Sequence, residues 1–526
     1  MDLYCDSFDE YNAIMVRNSW TDALDWHAAA SNVAEDIKGD WYRDPWGWPE
    51  YDYVLDGNLE LLTVRAQHRG VKRVAKIDVP KSNFATRPAV ILEPIDRLLL
   101  QALVDSISRK LIQQLPSWVF GWRRERGNDA PSAYSNNSKE WDGYRTALQH
   151  AVSVHDIGLK TDIVSCFASI PVDRACEDVE RKAGSNQITM RLIDMLKNFA
   201  RVQGRSGIPQ RSFASCVLAN MYLSRLDQVL ESYTPPPKKM MGITYARKIT
   251  TRWMDDVWVF GGDEGRLRSV QLDLQEVARE AGLELNPAKT EVLQGSDLAQ
   301  AALSLEHSAV DEALAQDTPN AVHLEELVDE IIADPAHADR TSIRFATTRM
   351  RRHAIKTRLR ALIDTANRLP QGADHLARLF RDFDSWEELQ DWFLNYEAGD
   401  WGKIRWSVSQ FGTMFPTGAI VDRRLVDRFA EILVSRPTLP LLALTAQRLA
   451  SWDSSLARDS LRALAETADH PLERRLIGLS SLAARDESVF IRNMLSEYEE
   501  NQITLARVEA NRFRPIVPVP DFATNS

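Results

Sequence analysis

The chain has 526 residues, of which 44% are hydrophobic and 26% are charged, a composition typical of an ordinary soluble globular protein. At roughly 150 residues per domain, this length predicts about three domains. The net charge is −11 from 64 Lys/Arg and 75 Asp/Glu. Four cysteines without C-x-x-C or zinc-ligand spacing exclude a disulfide scaffold and a zinc ribbon. Because no apolar run reaches 18 residues and the acidic N-terminus lacks the features of a signal peptide, we expect a cytoplasmic protein with no membrane partner.

The negative charge is local. Residues 1–60 contain 3 Lys/Arg against 14 Asp/Glu, whereas residues 61–127 contain 13 Lys/Arg against 5 Asp/Glu. A second basic tract, residues 340–360, has 8 Lys/Arg and no acid. Such tracts are typical either of a surface that follows a nucleic-acid backbone or of a solvated helix face.

In chain order, the pattern predicts a helix near residues 20–38, a strand at 71–80 and a helix at 93–115. Short apolar runs at 157–164 and 253–260 predict strands, with helices at 171–201 and 211–232 between them and a break at residues 235–237. Beyond about residue 300 only helical periodicity remains, and the tail from residue 514 is expected to be extended and loosely held. The predicted helices beyond 300 cover residues 322–334, 341–367, 421–435, 440–451, 455–467, 472–484 and 487–499.

Three carboxylates dominate the candidate chemistry. Asp162 ends a predicted strand, and the adjacent Asp255 and Asp256 interrupt an apolar run. Two neighbouring carboxylates in an apolar run are costly unless they lie at a tight turn or a cation neutralises them. Oxygen ligands favour Mg²⁺, with Mn²⁺ as a second option. The alternative for the Asp-Asp pair alone is an ordinary exposed turn.

The order of further motifs is informative. Val79-Pro80-Lys81 with Arg87-Pro88 and Phe120-Gly121-Trp122-Arg123 precede Asp162, and Phe167 lies five residues after it. Gly207-Ile208-Pro209-Gln210, Ala219-Asn220 and Leu226-Asp227 follow, and Leu285-Asn286-Pro287 with Lys289-Thr290 comes after Asp256. This ordered series, across residues 79–290, resembles the reverse transcriptase family.

The resemblance implies a role for each matched residue. Asp162, Asp255 and Asp256 would be catalytic and hold Mg²⁺, with the Ile163 carbonyl as a further ligand. Nucleotide-binding residues would be Lys81, Arg87, Phe167 and Gln210, with Phe167 as the gate against a ribose 2′-hydroxyl. Residues that contact template or primer would be Arg123, Arg211, Trp253 and Lys289. In the basic tract 340–360, which would form a thumb helix, Arg351 and Arg352 would contact the nucleic-acid backbone. Surface charge is the alternative for Lys81, Arg87 and Lys289, and core packing is the alternative for Phe167.

Three positions depart from the family pattern. Trp253 replaces a tyrosine, Cys166 occupies a position that is usually aromatic or polar, and Arg211 stands where the family has glycine. A glycine there would let the backbone approach template and nucleotide closely, whereas Arg211 adds a long cation. We therefore expect Arg211 to change how, or whether, a template is used.

The predicted fold is α+β: a right-hand polymerase with fingers and an antiparallel palm sheet, then an all-α thumb and a helical C-terminal domain. HEAT-like repeats and a plain bundle are the two alternatives for that last domain. The expected divisions are an acidic Trp-rich region (1–60), fingers and palm (61–300), a thumb-like region (301–370), a helical domain (371–513) and a tail (514–526). This layout resembles the bacterial abortive-infection and defence-associated reverse transcriptases.

That resemblance implies a polymerase that uses dNTPs, an RNA template or noncoding RNA partner, and a DNA product, with homo-oligomerisation left open. Two alternatives remain: an intron- or retroelement-derived reverse transcriptase, and a non-catalytic palm-fold scaffold that binds RNA. Tyr42, Tyr51 and Tyr53 are candidate protein primers, and packing against nearby tryptophans is the alternative for them.

Overall fold

The computed structural model describes residues 20–67, 71–130, 132–234, 238–240, 243–245, 249–315 and 320–521. The predicted break at residues 235–237 lies outside them. The chain forms two compact units. The first comprises Met1–Ile37, Tyr51–Lys72 and Pro94–Leu293, and the second comprises Lys38–Glu50, Arg73–Glu93 and Gln294–Ser526. The five-part division expected from the sequence stays a prediction.

A five-stranded sheet, in the order β3-β7-β8-β4-β9, forms the centre of the first unit. Strand β3 runs parallel to β7, whereas the β7–β8 and β8–β4 pairs are antiparallel. A two-stranded sheet pairs β5 with β6. The strands are β3 (Val119–Phe120), β4 (Ile157–Thr161), β5 (Lys238–Met240), β6 (Ile243–Tyr245), β7 (Thr250–Trp253), β8 (Asp256–Gly261) and β9 (Glu291–Gln294).

Two long helices supply much of the core of this unit: α4, which begins at Pro94, and α9, which contains Tyr222. Proline suits the first position of a helix because its missing N–H would have no partner there. The helices are α1 (Trp26–Ile37), α2 (Glu50–Leu55), α3 (Leu59–Gln67), α4 (Pro94–Ile112), α5 (Asn137–Val154), α6 (Cys166–Ser169), α7 (Val172–Ala183), α8 (Gln187–Gln203), α9 (Phe213–Tyr233) and α10 (Glu264–Glu280).

The second unit has one antiparallel hairpin, β1 (Ala75–Pro80) with β2 (Thr86–Ile91). All its other regular elements, among the described residues, are helical. They are α11 (Gly295–Leu303), α12 (Leu305–Leu314), α13 (Val322–Ala333), α14 (Arg340–Arg352), α15 (Leu359–Thr365), α16 (Ala373–Phe380), α17 (Trp386–Ala398), α18 (Arg405–Gly412), α19 (Arg423–Val434), α20 (Leu439–Trp452), α21 (Ser454–Ala465), α22 (Pro471–Ala483), α23 (Ser488–Ser496) and α24 (Gln502–Ala510).

Two predicted helices are each divided in two. The 171–201 prediction covers α7 and α8, because Gly184 ends α7 with φ 80° and the Asn186 side chain caps α8 at the Thr189 amide. The 341–367 prediction covers α14 and α15, and Ala354, with φ 54°, lies in the turn between them. Periodicity alone does not show such breaks, because the apolar pattern resumes on the far side.

The expectation of a loosely held tail is wrong for residues up to Asp521. The Asp521 carboxylate forms ion pairs with Arg381 and the fully buried Arg448. The Val519 amide also donates to the Pro45 carbonyl, at 2.9 Å. A tail this rich in proline carries no periodic signal, so its pattern does not indicate these partners.

Residues 38–50 of the acidic Trp-rich region belong to the second unit, where a buried ion cluster holds them. Arg475, 1% exposed, donates two bonds to Glu50 (2.6 and 2.9 Å) and one to Asp44 (2.5 Å). Its guanidinium also lies 4.9 Å from the Trp48 ring centre. Across the described residues, none of the helices is both long and apolar enough to cross a lipid bilayer.

Candidate active site

A tight hairpin places two of the three aspartates. Strands β7 and β8 pair through Trp253 and Asp256, so Met254 and Asp255 form a two-residue turn. Met254 has φ 54°, a left-handed conformation that glycine adopts most easily. The turn predicted from the Asp-Asp pair is therefore present, and its backbone is strained at a non-glycine residue.

Asp162 lies at the same end of the sheet. In the β4–β8 register Thr161, the last residue of β4, faces Val257, so Asp162, which follows it, comes next to Asp256. The Asp162 carbonyl accepts a hydrogen bond of 2.8 Å from the Asn286 amide. The side chain is 9% exposed, and its Oδ1 is buried without a hydrogen-bond partner among the described residues. A buried carboxylate oxygen without a donor is one that a bound cation could satisfy.

Lys289 provides the nearest positive charge. Its ammonium forms an ion pair with Asp162 Oδ2, and the Lys289 side chain is 59% exposed. Burial alone would lower the pKa of Lys289, but the bond to Asp162 and the nearby Asp256 and Asp255 raise it. Lys289 is therefore held in its charged form beside the aspartates.

The adjacent aspartates resist ionisation. Desolvation is the largest cause that raises the pKa of Asp255 to about 6, and the charges of Asp256 and Asp162 add to it. Desolvation also raises the pKa of Asp256, and Lys289 opposes the rise. Asp255 is half-buried and Asp256 is exposed. This cluster concentrates negative charge that Lys289 compensates only in part, as at many catalytic and cation sites.

A buried arginine that the sequence analysis did not single out supports the hairpin. Arg252, fully buried, makes two bonds of 2.7 Å to the Asp227 carboxylate. It also donates to Asn220 Oδ1 (3.0 Å) and to the Met254 carbonyl (2.8 Å). Asn220 of the Ala-Asn motif and Asp227 of the Leu-Asp motif thus hold the Arg252 guanidinium, which in turn binds the turn that carries Asp255. One sign of Arg252 was visible in the sequence: it is a charged residue directly before the Trp-Met-Asp-Asp motif.

Arg211 adopts a left-handed backbone conformation, which glycine adopts more easily. Its φ is 55°, and its carbonyl accepts a bond of 3.1 Å from Arg97 on α4. Arg97 also pairs with Asp36 at 2.8 Å, and Asp36 accepts from the Phe213 amide at 3.0 Å. The loop around Arg211 is therefore held from both sides in a strained conformation, and the Arg211 side chain is exposed.

The loop before Gln210 packs against the residue predicted to be the gate. The Ile208 amide donates to the Phe167 carbonyl at 2.9 Å. Gly207, at φ 106°, lies so close that a Cβ there would be 2.8 Å from the same carbonyl oxygen. Phe167 and Gln210 are both half-exposed. The structure brings these two segments together, and the gate and nucleotide roles stay predictions.

Aromatic rings surround Trp253. Its ring centre lies 4.9 Å from that of Trp141, 5.6 Å from Trp122 and 5.8 Å from Tyr144. Gly121 packs against the Trp253 ring, since a Cβ there would be 3.3 Å away. The indole that replaces a tyrosine is therefore accommodated by this cluster.

The remaining predicted residues make contacts of their own. Arg123 donates to the carbonyls of Pro116 (2.6 Å), Leu115 (3.1 Å) and Val119, so its guanidinium organises its own turn. In the second unit, the Arg87 guanidinium lies 5.3 Å from the Trp41 ring centre, and Lys81 follows β1. Arg351 and Arg352 end α14. Their nucleotide and template roles stay predictions.

A divalent cation fits the donors of this site only in part. The Asp162 Oδ1 atom without a donor and the raised pKa of Asp255 and Asp256 favour one. Yet no group of three His, Cys, Asp or Glu side chains within the described residues is already arranged to hold a metal ion. The Lys289 ammonium, paired with Asp162, compensates part of the negative charge that a metal ion would otherwise compensate.

Residues 79–320 match the family described as "Reverse transcriptase (RNA-dependent DNA polymerase)". The matched stretch is mixed α/β, with a small, largely antiparallel sheet and many helices. No curated protein matches the sequence. A solved structure titled "RdRp complex" is 10% identical, with 92% of this chain and 51% of that chain covered and a TM-score of 0.27. The chain thus spans about half the length of that chain, and so low a TM-score carries no argument about fold or activity.

Proposed function

We propose that this protein is a DNA polymerase, RNA-directed or template-independent, of a bacterial antiphage defence system. Its reaction joins a primer 3′-hydroxyl to the α-phosphate of a dNTP and releases pyrophosphate. The observation that carries the proposal is the gathering of Asp162, Asp255 and Asp256 at one end of a sheet, inside a domain that matches the reverse transcriptase family.

In this proposal Asp162, Asp255, Asp256 and the Ile163 carbonyl hold Mg²⁺, or Mn²⁺. Two such ions, when bound, neutralise the charge that develops on the phosphates. The chain's own contribution is to hold these oxygens in place. Arg252 fixes the turn through the Met254 carbonyl, and the Asn286 amide fixes Asp162.

Lys289 has a role that follows from its contacts. Its ammonium forms an ion pair with the Asp162 carboxylate, and this bond helps to hold Lys289 in its charged form. The Lys289 side chain is 59% exposed, so it could release Asp162 to a cation and pair with phosphate instead. The same ion pair would also suit a non-catalytic scaffold. In that case Lys289 would stay paired with Asp162 and take the place of a metal ion.

The defence role rests on the layout of the chain, in which helices follow the polymerase motifs to the end of the described residues. A noncoding RNA or an RNA template, dNTPs and a DNA product are the proposed partners. Protein priming is less favoured, since Tyr42 is 3% exposed and Tyr51 is 8% exposed. Tyr42 packs against Trp48, and Tyr51 donates to the Pro94 carbonyl.

The test is incorporation of labelled dNTPs by the purified full-length chain with Mg²⁺ or Mn²⁺. It is run with and without nuclease treatment, beside Asp255→Ala/Asp256→Ala. We expect product from the wild type alone. Product that persists after RNA removal would assign template-independent synthesis, and its loss would assign RNA-directed synthesis.

Lys289→Gln separates the enzyme from the scaffold. If Lys289 yields to a metal, the variant should bind Mn²⁺ at least as tightly as the wild type while its incorporation rate falls. The polymerase proposal fails if wild type and the double-alanine variant are equally inactive with every template, and if neither binds Mn²⁺.

A further inference from the structure

The second unit carries an unusual arrangement of arginines between α14 and α16. Arg340, at the start of α14, pairs with Asp374, at the start of α16, at 2.6 Å. Farther along both elements, Arg351 lies 3.8 Å from Asp382. These two contacts form the ends of a ladder of facing residues, and each end joins a cation to a carboxylate.

The middle of the ladder is occupied by arginines. Four residues after Arg340 comes Arg344, and four residues after Asp374 comes Arg378, so these two arginines lie between the two contacts. Arg344 is exposed and Arg378 is half-buried. Burial first, then the charges of Arg43, Arg351 and Arg344, lower the pKa of Arg378 to about 10.

A fifth arginine comes from the Trp-rich segment. Arg43 donates to the Asp521 carbonyl at 2.6 Å and to the Lys38 carbonyl at 3.1 Å, and neither is an anionic group. The Asp521 carboxylate is itself engaged by Arg381 and Arg448. Positive charge therefore exceeds negative charge around Arg378, although Asp374, Asp382 and Asp521 border the region.

Two further observations indicate a site for an anion. The Nε atom of Arg351 is buried and has no hydrogen-bond partner among the described residues, since Asp382 lies beyond hydrogen-bond distance. The exposed Arg344 guanidinium contributes its charge to this region. His375, beside the cluster, has its pKa lowered to about 4, first by burial, so it adds no positive charge at neutral pH.

We infer that Arg43, Arg344, Arg351 and Arg378 form a phosphate-binding site in the second unit. Folding like charges together costs stability, and an anion that joins them removes that cost. Planar guanidinium groups bind phosphate oxygens in pairs. The phosphate belongs either to a nucleic-acid strand or to a free polyphosphate, and the inference needs neither polymerase activity nor a metal.

The test measures binding to the full-length chain by calorimetry, and the melting temperature Tm, in EDTA. The probes are inorganic tripolyphosphate and a short oligothymidylate. Arg344→Gln is the main variant, because Arg344 is exposed, and Arg378→Gln is the second. Arg423→Gln is the matched control: an exposed arginine of the same unit that pairs with Asp427 and Asp453.

We expect each cluster variant to bind the probe about tenfold more weakly, the loss of one charge-assisted hydrogen bond. Without probe, its Tm should be unchanged or higher, since repulsion is relieved, a sign that loss of a merely structural arginine would not give. Tighter binding of the oligothymidylate assigns a strand, and tighter binding of tripolyphosphate assigns a free polyphosphate. If neither probe binds the wild type, or both cluster variants bind like Arg423→Gln, the inference is wrong.

Discussion

Two groups of acidic residues, one in each unit, show that the nearest charge decides whether the pKa of a buried carboxylate is raised or lowered. Glu50 is fully buried, yet its pKa is lowered, because the bonds and charge of Arg475 outweigh the burial. Asp255 keeps more contact with solvent, yet its pKa rises to about 6. Burial alone would predict the opposite order.

The difference lies in the partners. The Glu50 carboxylate accepts two hydrogen bonds from the Arg475 guanidinium and one from the Thr504 hydroxyl. Asp255 has Asp256 and Asp162 as neighbours, and the nearby Lys289 pairs with Asp162. Asp44 lies between these extremes, since burial raises its pKa while Arg475 opposes the rise. Charge that is balanced inside the protein holds a segment in place, whereas unbalanced charge is available to a ligand.

The largest expected effect comes from removing the balance at Arg475. Arg475→Met would leave Asp44 and Glu50 buried without their cation, and we expect a loss of about 4 kcal/mol in the free energy of unfolding. Urea denaturation measures it. The control is Arg492→Met, whose exposed pair with Glu509 should contribute about 0.5 kcal/mol. Equal losses in the two variants would contradict the assigned role of the buried cluster.

Arg252 extends the comparison into the candidate active site, because it is balanced by Asp227 and yet touches the turn of Asp255. Arg252→Lys keeps the charge but cannot make the paired bonds to Asp227 and the bond to Met254 together. We expect a loss of about 3 kcal/mol in stability and a fall in dNTP incorporation with little change in KM. Arg225→Lys, at a half-exposed pair with Asp178, is the control, and activity equal to wild type in Arg252→Lys would remove Arg252 from the positioning role.

At Asp255 the sign should reverse. Its pKa in the folded protein, about 6, lies above the ordinary value, so ionisation destabilises the fold as pH rises from about 4 through 6. Without divalent ions, Asp255→Asn should therefore be more stable than wild type by about 1 kcal/mol at pH 7.5, a value discounted for partial solvation and coupling. The gain should vanish near pH 4.

The measurement is Tm against pH in EDTA, with Asp263→Asn as a control away from the hairpin. Asp263 caps α10, so that variant should lose stability instead. Added Mg²⁺ should stabilise the wild type and leave Asp255→Asn unchanged. A uniform loss of stability in Asp255→Asn at all pH values would contradict the assigned electrostatics.

The sequence predicted the Asp255 turn and its proximity to Asp162, because adjacent carboxylates in an apolar run have few stable arrangements. It could not predict that Arg475 pairs with Glu50, since the two residues are 425 positions apart and ion pairs leave no periodic pattern. Arg252 went unnoticed for a related reason. A lone arginine in a strand indicates a partner but not which one. The divided helices at Gly184 and Ala354 depend on single backbone angles, which periodicity averages away.

The smallest expected effect concerns Arg211, where sequence and structure meet at one backbone angle. With φ 55°, Arg211 has a steric strain of about 1 kcal/mol that glycine would not have. Glycine would also make the unfolded chain more flexible, which offsets part of the gain in stability. Arg211→Gly should thus be more stable by about 0.5 kcal/mol, measured by urea denaturation, whereas Arg211→Ala should gain nothing because the strain remains. If the side chain matters for template use, both variants should change product composition on a fixed template in the same way. If only Arg211→Gly changes the product composition, backbone access rather than the cation controls template use. If neither variant changes it, the proposed role of Arg211 is wrong.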